Sequence, residues 1–174
     1  GRMIKDKGII EFVEAAKIVK ASMPNTRFQL LGPLDVQNRT SISQNIMLKW
    51  VEEGIIEYLG ETDDVPTYIK ETNCVVLPSY REGTSRVLLE AASLERPIIA
   101  TNVPGCREIV DDKVNGLLCS PRDSVDLANK MIEMTKFSNE YLINMGKMGR
   151  LKVIQDFDHK KVTELYLKAI KSNL

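Results

Sequence analysis

Apolar residues recur at helical spacing over residues 9–21, where Ile9, Phe12, Val13, Ala16 and Val19 share a face and Pro24-Asn25 stops the run. The same pattern predicts a helix over 40–53, built on Ile42, Ile46, Leu48, Trp50 and Val51 and ended by Gly54. A shorter helix is predicted over 65–71, with Pro66 in its first turn and Asp63-Asp64 placed to cap it. Between these stand short, continuously apolar runs at 28–32, 55–59, 74–77 and 97–101, which read as buried strands. Helices follow over 84–94, briefly over 106–110, and then over 123–136, 139–154 and 159–171. A turn at 111–116 leads into a last strand at 117–119. Strands alternating with helices imply βαβ units and an α/β fold, a parallel sheet flanked by helices on both faces. Such sheets bind ligands beyond the C-terminal ends of their strands, which is where loops 78–85 and 102–105 fall. No strand precedes the first helix, although α/β domains usually open with one, so the chain reads as cut from something longer.

Composition narrows the class. The 174 residues suit one domain, and 43% apolar with 28% charged content is ordinary for a globular chain with a sizeable core. Lys+Arg and Asp+Glu both number 24, so nothing in the charge asks for nucleic acid as a partner. Cys74, Cys106 and Cys119 are odd in number and widely spaced, which fits reduced buried thiols in a cytoplasmic protein better than a disulfide or zinc site. No apolar run approaches the ~20 residues of a membrane span. Trp50 and Tyr58 sit at apolar spacings and read as core. His159, the sole histidine, reads as a surface or capping residue at a late helix start.

The chemistry concentrates in Pro78-Ser79-Tyr80-Arg81-Glu82-Gly83-Thr84-Ser85-Arg86-Val87-Leu88-Leu89-Glu90. Here a strand ends and a helix begins. The first helical N–H groups lack intrahelical partners and the helix dipole is positive at that end, so the junction suits phosphate. Gly83 lets a ligand approach the backbone, and Thr84 or Ser85 can cap. Glu90 lies about two turns further in, among Leu88, Leu89, Ala91 and Ala92, where a carboxylate needs a partner. Glu82 and Glu90 would then flank an anion and accept hydrogen bonds from hydroxyls on either side, as a nucleotide sugar requires. An ordinary helix start with acidic neighbours has the same spacing and stands beside this reading.

Further pieces carry a resemblance. Arg81-Glu82-Gly83, Leu88-Leu89-Glu90-Ala91, Arg96-Pro97-Ile98-Ile99-Ala100-Thr101, Pro104-Gly105-Cys106-Arg107-Glu108-Ile109-Val110 and Asn115-Gly116-Leu117-Leu118, in this order, resemble the C-terminal domain of retaining glycosyltransferases of the GT-B fold, family 4 in particular. The resemblance runs over essentially the whole chain. It implies a Rossmann-like half of a GT-B fold, with residues 1–174 a nucleotide-sugar donor-binding domain and the N-terminal acceptor domain absent. The family's Glu-x7-Glu motif falls on Glu82 and Glu90, implying that Glu82 faces the donor sugar and Glu90 the ribose. Its Gly-Arg and Lys-Gly elements fall on Gly1-Arg2 and Lys7-Gly8, implying that Arg2 and Lys7 clasp the diphosphate. Where many members have Gly-Phe-Gly, this chain has Gly83-Thr84-Ser85; Thr84 alters the surface beside the sugar, while Ser85 stays small beside phosphate.

The implied reaction is transfer of a sugar from a nucleoside-diphosphate sugar, a UDP-sugar by preference, to an acceptor hydroxyl with retention, in polysaccharide or lipid-linked oligosaccharide synthesis. Arg2, Lys7 and the helix start at Gly83-Thr84-Ser85 would stabilise the leaving diphosphate. No cofactor is expected, and no metal, the sequence being read as having no acidic metal motif such as Asp-x-Asp. The acceptor, a sugar or lipid-linked saccharide, would be met through the missing domain, with the full-length protein at the inner face of a membrane and in peripheral contact with it. The fragment alone is expected to catalyse little. Two other readings stand: a GT-B-like nucleotide-sugar epimerase, which would need a histidine in the cleft, and a non-catalytic nucleotide-binding α/β module.

Overall fold

The computed structural model describes residues 1–34, 36–158, 163 and 167–171. A 3₁₀ turn, Lys5–Lys7, leads through Gly8 into α1 (Ile9–Ser22). Then come β1 (Gln29–Leu30), α2 (Gln44–Glu52), β2 (Glu57–Tyr58), α3 (Val65–Glu71), β3 (Val75–Leu77), α4 (Arg86–Ser93), β4 (Ile98–Thr101), β5 (Gly116–Cys119), α5 (Ser124–Thr135) and α6 (Asn139–Asp156). All pairing between these strands is parallel, as βαβ connections require. β1 pairs with β2, and β3, β4 and β5 pair in that order, so the strands form two sheet pieces.

Each face of the sheet buries its own apolar cluster, and β4 shows why. Ile99 joins Phe12, Val13, Val19, Leu117, Leu127 and Met131 beneath α1 and α5. Ile98 and Ala100 join Leu88, Ala91, Ala92 and Ile109 on the α4 side. A strand with both faces covered has no use for polar alternation, and Ile98–Thr101 is buried at every position. Trp50 is buried in the first cluster and Tyr58 packs against it. Cys106 and Cys119 are buried free thiols and Cys74 is partly exposed; burial pushes their thiols up to about 11, about 12 and about 12 respectively.

The elements agree with the apolar pattern in kind, and differ in extent for identifiable reasons. The second helix starts at Gln44 rather than near residue 40, because Lys5 N–H donates to Thr40 O (2.8 Å) and Ile42 N–H to Met3 O (2.9 Å), holding that stretch extended. The helix α4 starts at Arg86 rather than 84. Residues 106–110 form turns, not a helix. Asn115, 1% exposed, ends them: its Oδ1 accepts from Asp111 N–H (2.7 Å) and its Nδ2 donates to Ile109 O (2.9 Å). Replacing Asn115 with Ala strands both backbone groups and should cost about 2 kcal/mol in urea unfolding. Asp64 caps α3 by accepting from Thr67 N–H (3.3 Å), as its position suggested. His159 and most of the predicted last helix lie outside the described residues.

Candidate functional site

The site is assembled where the loop after β3 meets the turn before α1. Asp6 O accepts from Tyr80 N–H (2.9 Å) and from the Ser79 hydroxyl (3.1 Å), and Thr101 Oγ1 donates to Ser79 O. Ser79 is wholly buried, so this pinning occurs in the interior. Tyr80 extends it: its hydroxyl donates to Glu11 Oε1 (2.6 Å), and the Arg122 guanidinium stands 4.5 Å from its ring centroid. Burial and the Glu11 carboxylate push the Tyr80 hydroxyl up to about 12.

This docking brings Lys7 to Glu82. The Lys7 Nζ to Glu82 Oε1 distance is 2.5 Å, with the two side chains 24% and 10% exposed. The approach requires Gly8, which has a φ of 72° and whose Cβ, were there one, would lie 2.0 Å from Pro78 O. On the other side, the turn after β4 closes on the same loop. Gly105 has a φ of 83°, and a Cβ there would come within 1.6 Å of Gly83 O. Gly105 N–H donates to Glu108 Oε2 (2.6 Å), a bond that holds the Glu108 carboxyl below its ordinary range.

Ser85 stands at the N-cap of α4 and is 3% exposed, but its side chain makes no capping hydrogen bond. The helix therefore presents its first N–H groups uncapped by a side chain at the loop that carries Gly83 and Thr84. Glu90, in the second turn of the same helix, is half-buried, and no described residue makes a hydrogen bond or salt bridge to its carboxylate.

Two cavities adjoin this junction. The larger, about 1130 Å³, is lined by Arg2, Lys7, Glu82, Thr84, Ser85 and Glu90 among others. The smaller, about 340 Å³, is lined by Glu82, Gly83, Thr84, Gly105 and Glu108. Six of the seven residues singled out in the sequence line the larger cavity and Gly83 the smaller; Glu82 and Thr84 face both, and among the seven the fold pairs Lys7 with Glu82. The Lys7–Glu82 pair was not foreseen: the two were given separate partners, diphosphate and sugar, and the fold joins them. Glu108 was missed as a site residue, although its Pro-Gly turn was placed at this edge. Its signal, an acidic residue three after Gly105, is that of any turn.

One expectation needs correcting. An Asp-x-Asp element does exist, Asp156-Phe157-Asp158, and the fold brings Phe157 to the wall of the smaller cavity. Asp156 lies 3.6 Å from Lys152. Among the described residues no group of three His, Cys, Asp or Glu side chains is arranged to hold a metal ion. No described helix is long and apolar enough to cross a membrane.

A parallel α/β sheet with a charged cleft at the C-terminal strand ends is the architecture of half a GT-B enzyme. Residues 1–136 match the family of glycosyl transferases group 1, and the chain belongs to that family. It is 29% identical over 164 residues to the capsular polysaccharide biosynthesis glycosyltransferase CapM of Staphylococcus aureus, across 94% of this chain and 42% of that protein. It is 27% identical over 173 residues to an Escherichia coli UDP-Gal:α-D-GlcNAc-diphosphoundecaprenol α-1,3-galactosyltransferase, covering 96% of this chain and 44% of that enzyme. Among solved structures, sucrose-phosphate synthase from Thermosynechococcus elongatus aligns with a TM-score of 0.81 at 26% identity, over 99% of this chain and 44% of that one. HepE of Anabaena, solved in complex with UDP, has the same fold, with a TM-score of 0.81 at 22% identity over 99% of this chain and 47% of that one. The chain thus spans less than half the length of these proteins.

Proposed function

We propose that residues 1–174 bind a nucleoside-diphosphate sugar at the β3–α4 junction and, as the donor half of a longer glycosyltransferase, support sugar transfer with retention. The observation that carries this is Glu90: a half-buried carboxylate on the cleft wall, without a hydrogen bond from any described residue, about one turn from a helix start that no side chain caps. Ribose hydroxyls would supply its hydrogen bonds. The diphosphate would sit at the N–H groups of α4 near Thr84 and Ser85, with Arg2 and Lys7 on its other side. Glu82, held by Lys7, would face the sugar.

In the transfer, the bond between the anomeric carbon and the phosphate oxygen breaks, and its electron pair leaves on the diphosphate. The acceptor oxygen bonds to the same face of that carbon, and its proton ends on the released diphosphate or in solvent. Negative charge grows on the diphosphate as the bond breaks, so Arg2, Lys7 and the helix start bind the transition state more tightly than the donor. UDP is the favoured nucleotide, in line with the donor named for the Escherichia coli relative. The acceptor, a sugar or lipid-linked saccharide, would be bound by the rest of the longer protein.

Calorimetric titration with UDP and with UDP-sugars tests the reading. Glu90→Gln should weaken UDP binding about tenfold, about 1.4 kcal/mol, while leaving urea unfolding unchanged. Equal affinity in both chains would make Glu90 a structural residue and remove the basis for the donor site.

A further inference from the structure

The first residue of α4 stands against the field of its own helix. The positive end of a helix dipole favours acidic groups, and α1, α5 and α6 each carry one in their first turn. The helix α4 carries none and opens instead on Arg86. The nearest acid on the same helix face is Glu90, four residues on, and a cation placed N-terminal to its acid is the weaker order of such a pair. No salt bridge forms between them, and no described residue makes a hydrogen bond to the Arg86 guanidinium.

Arg86 is exposed, and it lines the larger cavity together with Arg2, Lys7 and Glu90. Glu61, Glu71 and Glu82 line that cavity too; Lys7 holds Glu82, and none of the three lies within salt-bridge distance of Arg86. Beside it in the chain, Ser85 is only 3% exposed and lines the same space, and its hydroxyl makes no hydrogen bond with a described residue. Buried hydroxyls are nearly always paired, so this one calls for a partner from the cavity. A fork of N–H donors and a buried hydroxyl, both at a helix start, together suit an anion with several oxygens.

We propose that Arg86 grips the phosphate next to the ribose, and that holding a cation at the head of α4 lowers the stability of the chain in the absence of nucleotide. The inference rests on the donor-site reading above and adds to it a residue that the resemblance does not assign. Arg86 lies one turn from Glu90, the proposed ribose contact, and beside Ser85, so its reach falls where nucleoside and diphosphate join. The guanidinium takes two oxygens of that phosphate. Arg2 and Lys7 are left to the outer phosphate, on which the leaving charge appears. Arg86 then holds the donor and the released nucleotide alike, and sets affinity rather than rate.

NMR titration of the parent chain and of Arg86→Gln with uridine, UMP and UDP tests this, together with urea unfolding without nucleotide. Arg86→Gln should bind UMP and UDP about tenfold more weakly and uridine equally well. It should also raise the urea midpoint by about 0.3 M, since the opposed charge is gone. Arg81→Gln is the control: Arg81 is exposed and lines neither cavity, so its loss should leave all three affinities as they were. An equal loss for uridine would place Arg86 on the nucleoside, and a loss confined to UDP would place it on the outer phosphate. An equal loss in Arg81→Gln would reduce Arg86 to a diffuse charge, and a lowered midpoint would reveal a protein partner. Each of these overturns the proposal. If the parent chain binds neither UMP nor UDP, the donor site itself falls; if it binds both and Arg86→Gln binds them equally well, only this inference does.

Discussion

Lys7→Ala should lower stability by about 2 kcal/mol, and adding Glu82→Gln to the same chain should restore much of the loss. The reason is that Glu82 is only 10% exposed and its carboxylate is held by the Lys7 ammonium at 2.5 Å. Removing one partner of a fully buried pair costs ~3–5 kcal/mol, because the remaining charge is stranded. Lys7 keeps 24% exposure, so water screens part of that penalty and the figure is reduced accordingly. Neutralising Glu82 removes the stranded charge. Urea unfolding of both single variants and the double variant measures the effect, with an expected coupling of about 1–2 kcal/mol. Additive single effects would reduce the pair to an ordinary rim contact. UDP affinity should fall about tenfold or more in Lys7→Ala and should not recover in the double variant, since the cation proposed to meet the diphosphate is absent from both.

Gly105→Ala is expected to cost about 3 kcal/mol and to abolish measurable UDP binding. Two penalties combine. A φ of 83° is unfavourable for any residue with a Cβ, by ~1–2 kcal/mol. The Cβ would also sit 1.6 Å from Gly83 O, which forces the two loops apart, and overpacking of that sort costs ~1–3 kcal/mol. Gly54→Ala separates the terms. Gly54 has a φ of 67°, but a Cβ there meets nothing within 4 Å, so it should lose only the conformational part. Thermal unfolding of the two variants side by side gives the clash energy by difference. Equal losses would show that the 78–85 and 102–105 loops separate freely and that their contact does not shape the site.

The two predictions concern contacts that no local pattern announces. Lys7 and Glu82 are far apart in the chain, and they meet because Asp6 O takes two hydrogen bonds from the β3 loop. Gly105 and Gly83 read separately as turn glycines, and only their apposition makes one of them irreplaceable.

What the chain determines by itself is local. Apolar periodicity sets which segments are helix and which are buried strand, and the strand-to-helix step at 78–86 has the form of a turn suited to an anion, with Glu82 within it and Glu90 beyond. Only the tertiary structure decided where elements stop and which charges pair. Residues 40–43 lost their helix to the backbone of Met3 and Lys5, residues 106–110 lost theirs to Asn115, and Glu82 was drawn to Lys7. Periodicity reports how a segment meets a core. Hydrogen bonds and ion pairs between distant segments depend on distances that the folded core alone creates.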